Sequence, residues 1–511
     1  MKMLRAPALA AIALLFAAPL RAQTEVVAVP APAVALPPRA LGLIREDDLR
    51  RDLEALAADT LRGREAGTLD ELRASVWLAE RARQAGLQPA GEDGTFFQWF
   101  PMRRVRVAST SRVEMGGRAL ALWRDAIVLT PTDATVDAPL VWVGTADSAQ
   151  LAAMDLRGKA VAAQLVAPRE VPPREVSLWA WRYARAALRD RTLALQARGA
   201  AAVVLVSDSV ADSVFEVLAS YYSRGTYGLD SAGVEAPRVP RTPVLWLRRS
   251  ALGAAQAQTQ GQGPRLTARI SSESFLYPSV NVVAQVPGTS TLLRNDYVLF
   301  SGHQDHDGVR TPINGDSIWN GADDNGTVSV ALLAIGRAFV RQPGRRTALF
   351  VWHGAEERGL IGSRWFAEHP TVPKAAIVAV LNGDMMGRNH PDSAALLGVQ
   401  PPHRNSRELA QIALDANRQV SRFAVDTTWD RPTHPEGWYF RSDHLPYARA
   451  GIPAIFFTTL LHPDYHTPRD ETLRIDFPKL ARMTRWMYAT GWTLATMGGR
   501  PGVDADFKLE R

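Results

Sequence analysis

The sequence contains no cysteine. Disulfides, thiolate metal sites, a cysteine nucleophile and a lipid-modified N-terminal cysteine are thereby excluded, and any metal must be held by His, Asp or Glu. Lysine is nearly as scarce. Only Lys2, Lys159, Lys374, Lys479 and Lys508 occur, so the net charge of +7 is carried by arginine. The arginines are scattered, without a dense basic run or interleaved aromatics, and nucleic acid is not an expected partner. Beyond the N-terminus no apolar stretch approaches membrane length, so no stable membrane anchor is expected. No G-x-S-x-G elbow occurs, which argues against a serine hydrolase of that type. Histidine is absent outside one window: all ten lie between His303 and His466, 164 of 511 positions. Random placement would confine them so on the order of one time in 10^5. What remains is ordinary for a packed globular chain, 46% apolar and 22% charged.

Lys2 and Arg5 precede an apolar run over 6–20, and Leu20-Arg21-Ala22 offers a small residue for cleavage. This order predicts a signal peptide over 1–22, a secreted or periplasmic chain and a mature start near Gln23. Residues 23–40 read as a Pro/Ala-rich linker. Residues 41–135 form the first part of a larger domain, with a helix opened by a Thr68/Glu71 capping pattern and stopped at Gly86. Residues 136–268 differ in texture. Short apolar runs at 140–143, 160–166, 201–206 and 244–247, with a long helix over 179–198, predict a small inserted domain. The main domain follows over 269–500, with 501–511 as a tail. There, strands at 280–286, 297–300, 348–352, 377–381 and 452–457 alternate with helices at 327–339, 406–417 and 479–493. Such alternation predicts an α/β sandwich around a mixed, largely parallel sheet.

The candidate chemical groups sit where such a sheet binds ligands, after the carboxyl ends of strands. His303 follows the 297–300 strand, Glu356 and Glu357 follow 348–352, Asp384 follows 377–381, and His466 follows 452–457 through a loop. Asp323 lies in a loop entering the 327 helix. Two histidines and three carboxylates suit two zinc-like ions sharing one carboxylate, each with an open place for water. Two such ions about 3.5–4 Å apart can clamp a hydroxide and polarise a carbonyl. The spare Glu356 beside Glu357 suits a general base.

These positions lie in the strings SGHQDHDG (301–308), NGADDNGTVS (320–329), HGAEERGLIGSRWF (353–366), LNGDMMGRN (381–389), RSDHLPYARAGIPAIFF (441–457) and HPDYHTPRDETLRID (462–476). In order and spacing they resemble the M28 family of metallopeptidases. The resemblance implies a zinc-exopeptidase sandwich with two Zn2+ per chain. It implies that His303, Asp323 and Asp384 bind one ion, that Asp323, Glu357 and His466 bind the other, and that Glu356 is the base. It also implies that Asp305 orients His303, that the Asp323–Asp324 bond is cis, and that Tyr465 hydrogen-bonds the oxyanion. Gly383 departs from the pattern, in which a bulkier apolar residue precedes the aspartate. The strings LRGKAVAAQLVAP (156–168) and ALQARGAAAVVLVSDS (194–209) make the insert similar to a protease-associated domain.

The expected function is a secreted dinuclear-zinc aminopeptidase acting on peptides. A carboxypeptidase or dipeptidase on the same scaffold, a non-catalytic receptor-like member and a one-metal glutaminyl-cyclase-like transferase are the alternatives. Asp443 and His444 are expected to buttress the site. His306, His353 and His462 are expected beside the ligands or at the surface, and Arg388 in a structural ion pair.

Overall fold

The computed structural model describes residues 38–165, 176–230, 242–254 and 264–510; the expected signal peptide and residues 23–37 of the linker lie outside them. Among the described residues the central sheet has nine strands. Tyr297–His303 lies at its middle, parallel to Thr347–His353 on one side and to Ile377–Gly383 on the other. Ala454–Thr458 continues the parallel set beyond Ile377–Gly383. Antiparallel strands flank this group, Ser279–Val286 beside Thr347–His353 and Ser393–Leu397 beside Ala454–Thr458. The sheet is therefore mixed, with a parallel centre.

The central strands read as unbroken apolar runs because both their faces are covered. Alternate residues face opposite layers. Phe300, Phe350 and Leu381 pack into a layer with helices Val328–Arg341 and Phe477–Thr496. Leu299, Val351 and Val380 pack with Phe366 and Tyr447 from helices Ile361–Glu368 and His444–Arg449 on the other face. Two tight approaches set these layers. A Cβ on Gly491, inside Phe477–Thr496, would lie 2.1 Å from Phe300 Cζ. Val328 sits over two sheet glycines: a Cβ on Gly302 or Gly383 would lie 2.5 or 2.9 Å from its Cγ1. Gly383, the departure noted in the sequence, is thus filled from the helix side by Val328.

Local signals explain the element ends. Thr68 accepts from the N–H groups of Asp70 and Glu71 to start helix Leu69–Gln84. Glu71 does not return to the Thr68 N–H as a capping box requires; its carboxylate accepts from Gly67 N at 2.6 Å and Ser279 Oγ at 2.6 Å. Asp476 accepts from Lys479 N to start the last long helix.

A second, eight-stranded sheet forms the insert. It begins earlier than the expected residue 136, because Arg112–Met115 pairs with Arg265–Ile270, and Ala126–Val128 pairs with Val244–Leu247. The short strands at 112–128 pair with partners far away in sequence, which local periodicity does not reveal. Residues 501–510 are docked: Arg404 pairs with Asp504 at 3.0 Å, and His403 Nε2 meets the Glu510 carbonyl at 2.6 Å. Among the described residues no helix is long and apolar enough to cross a membrane.

His444 is fully buried, its ring stacked on Phe456 at 4.9 Å. Burial drives its pKa down to about 3 from an ordinary 6.5. The folded state therefore requires the neutral ring, while the unfolded chain takes up a proton below about pH 6.5. The stabilisation is complete above that pH and is lost as pH falls towards 3. His444→Phe, which cannot titrate, should flatten the fall in stability between pH 6 and 4 by up to about 1.4 kcal/mol per pH unit. Urea unfolding at a series of pH values measures this; parallel curves for both proteins would refute it.

Candidate metal centre

The carboxyl ends of the central strands and their loops meet in one buried pocket. His306, Asp324, Glu357 and His466 each offer a donor atom, and these atoms all lie within 4.8 Å of one another. His303, Glu356 and Asp384 form a second group of the same compactness. Asp324 joins the groups. Its Oδ1 is 3.2 Å from His303 Nε2 and its Oδ2 is 3.1 Å from His466 Nε2. His303 Nε2 is also 3.6 Å from Asp384 Oδ1, and His466 Nε2 is 3.1 Å from Glu357 Oε1.

The position expected for the shared carboxylate is therefore corrected by one residue, from Asp323 to Asp324. Asp323 turns away into the protein, accepting from Gly387 N at 2.7 Å and Thr327 Oγ1 at 3.2 Å, and its other oxygen is 3.4 Å from His462 Nε2. The cis peptide is displaced likewise, standing between Asp324 and Asn325. Two neighbouring aspartates carry no local signal of which one faces the pocket. His306, expected beside the ligands or at the surface, is buried, with its Nδ1 3.0 Å from Glu357 Oε1.

Three buried groups hold the loops in place. Asp305 acts through both its halves. Its main-chain oxygen is 3.0 Å from His303 Nδ1, leaving Nε2 to face the pocket, while its carboxylate accepts from Glu356 N at 3.0 Å and Glu357 N at 3.3 Å. Asp470 accepts from Asp323 N at 3.0 Å and Asp324 N at 3.0 Å. Arg64, which the sequence reading missed, donates to the carbonyls of Leu56 (3.1 Å), Gln304 (2.7 Å), Asn320 (2.6 Å) and Gly321 (2.9 Å), tying the His303 loop to the Asp324 loop. A lone arginine distant in sequence gives no hint of this. Tyr465 stacks on His466 with centroids 3.9 Å apart, and its hydroxyl accepts from Arg441 Nη2 at 2.9 Å. Arg441 also pairs with Glu436, which pairs with Arg182 of the insert. Arg388 forms its expected ion pair, with Asp464 at 2.6 Å. Asp443 is buried near Glu356, and burial raises its pKa to about 7.

The electrostatics suit cations. Asp324, Glu356, Glu357 and Asp384 are buried together, and among the described residues their ion-pair partners are histidines rather than Lys or Arg. Burial would raise Glu357, but His466 and His306 beside it hold it well below the usual carboxylate range. Burial instead pushes Glu356 well above that range. His303 Nε2, His306 Nδ1, Glu357 Oε1 and Asp384 Oδ1 are buried without a hydrogen-bond partner. Buried charges require pairing, and these atoms point at one another. Donors bonded at 2.0–2.1 Å around a tetrahedral zinc lie about 3.3 Å apart, and the closest donor pairs here are 3.0–3.6 Å apart. The residues therefore fit divalent cations.

Residues 281–491 match the model of Peptidase family M28. A probable leucine aminopeptidase of Arthroderma otae is 25% identical over 224 residues, 41% of this chain and 55% of that protein. The chain thus spans little more than half the length of that relative. Among solved structures, an aminopeptidase from Aneurinibacillus sp. strain AM-1 aligns with a TM-score of 0.58 at 20% identity, over 91% of this chain and 96% of that one. A zinc aminopeptidase from Bacillus subtilis aligns with a TM-score of 0.56 at 18% identity, over 91% and 99%. The fold is shared with these proteins.

Two substitutions separate the adjacent aspartates. Asp324→Asn should strip most of the zinc that survives gel filtration, whereas Asp323→Asn should retain it; elemental analysis decides, and the reverse ranking would refute the correction. Arg64→Lys replaces a forked donor by one that cannot reach four carbonyls. It should lower unfolding stability by about 2–4 kcal/mol, read from denaturant titration.

Proposed function

We propose that this chain, whose residues 281–491 belong to peptidase family M28, is a secreted dinuclear-zinc aminopeptidase. The observation that carries the reading is Asp324, whose two oxygens face the histidines of two donor groups from opposite sides. His303, Asp324 and Asp384 would hold one ion, and Asp324, Glu357 and His466 the other. When bound, such ions supply Lewis acidity towards a substrate carbonyl and acidify water.

The chain's own residues do the rest. Among the described residues Glu356 has no competing Lys or Arg partner, and burial raises its affinity for a proton. It takes a proton from the attacking water and returns it to the leaving amine. Asp305 aims it by accepting from its main-chain N–H, and aims His303 through its carbonyl. Tyr465 receives a hydrogen bond from Arg441, a side chain that can only donate. The tyrosine proton therefore stays free for the oxyanion of the substrate. The aminopeptidase names of the relatives favour action at a free N-terminus, and a pocket rich in carboxylates suits a cationic α-amine. The charged, apolar, small-residue order at residues 2–22 supports export. The insert reads as a protease-associated domain shaping access to the cleft, consistent with the Arg182–Glu436–Arg441 pairing.

Aminoacyl-anilides, N-blocked peptides and C-terminal dipeptides, assayed with and without chelator, test this. Cleavage confined to free-amine substrates and abolished by chelation is expected; equal cleavage of N-blocked peptides would overturn the aminopeptidase assignment. Glu356→Gln should retain bound metal while kcat falls by about 10^2–10^4-fold, and undiminished turnover would remove Glu356 as the base.

A further inference from the structure

His306 has no part in the mechanism above, yet it is fully buried and, among the described residues, neither ring nitrogen has a hydrogen-bond partner. Its Nδ1 is 3.0 Å from Glu357 Oε1 and 4.0 Å from Asp324 Oδ2, atoms that also lie 3.1 Å and 3.1 Å from His466 Nε2. The His306 and His466 rings stand almost perpendicular, 89° apart, with centroids separated by 5.4 Å. The ring is held rigidly. It lies on Gly321, where a Cβ would come within 2.3 Å of its Cγ, and its main-chain N–H donates to the Arg64 carbonyl at 3.3 Å. Gly321, at φ +59°, is therefore required both by its backbone conformation and by the ring above it.

We propose that His306 is a fourth protein ligand of one metal position, making the pair unequal: a closed position of His306, Asp324, Glu357 and His466, and an open one of His303, Asp324 and Asp384. The proposal rests on the metal-centre reading and deepens it. Four protein donors complete a tetrahedron, the arrangement of structural zinc sites, whereas three leave a place for water or substrate. The open position lies on the Glu356 side, since Glu356 groups with His303 and Asp384. The closed ion is then the tightly held one, and the open ion exchanges and meets substrate. The competing role for His306 is to donate a hydrogen bond to Glu357 from Nδ1. An asparagine amide placed at the same distance along the side chain would preserve that bond but would be a poor ligand.

The test uses the full mature protein loaded with cobalt(II). Each metal-bound imidazole retains one ring N–H, whose proton signal is shifted far outside the normal window by the paramagnetic ion. Three exchangeable shifted signals are expected, from His303, His306 and His466, falling to two in His306→Asn. Competition with a chromophoric chelator should resolve two affinities at least 100-fold apart, with the tighter one weakened at least 10-fold in the variant. Two shifted signals from wild-type protein holding two cobalt ions would overturn the ligand assignment and leave the peptidase reading intact. Unchanged affinities in a folded His306→Asn variant would do the same. Fewer than two cobalt ions bound by the wild type would overturn the paired-centre reading, and this proposal with it.

Discussion

The structure is organised around a buried concentration of carboxylates at the end of its central sheet. Four carboxylates are gathered at the end of the sheet, with imidazoles as their ion-pair partners among the described residues. Carboxylates so close and so dry are tolerated when cations join them or a proton neutralises one of them. The surrounding framework acts as a brace against that repulsion. Arg64 ties two loops by their carbonyls, Asp305 ties two loops by an N–H pair and an imidazole, and Asp470 accepts the N–H groups on which the shared carboxylate depends.

The sheet explains why this arrangement is possible. Its parallel centre ends several strands at one edge, so side chains far apart in sequence emerge side by side. Close approach of helix Val328–Arg341 to Gly302 and Gly383 leaves the strand ends no room to shift. The placement of His303 and Asp384 follows from packing that has no chemical role of its own.

Much of this was legible before any coordinates. The central strands were visible because burial on both faces leaves an uninterrupted apolar run, and helix Leu69–Gln84 because Thr68 caps it. The cluster of histidines and the carboxylates after each strand pointed to one edge of the sheet. What was not legible depended on partners remote in sequence. Asp323 and Asp324 are chemically identical neighbours, and which one enters the pocket is decided by Gly387, Thr327 and His462 around one and by His303 and His466 around the other. The strands at 112–128 were assigned to the first domain because their pairing with residues 244–270 is invisible to local periodicity.

Arg64 lies far upstream of residues 281–491, yet its guanidinium sits beneath the His303 and Asp324 loops. Arg224, from the insert, likewise donates to the carbonyls of Asp307 and Val309 just beyond His306. The span recognisable as a peptidase is therefore not a portable unit. Excising it would leave behind the staples that give its loops their shape, and swapping the insert for another would disturb the pocket from a distance.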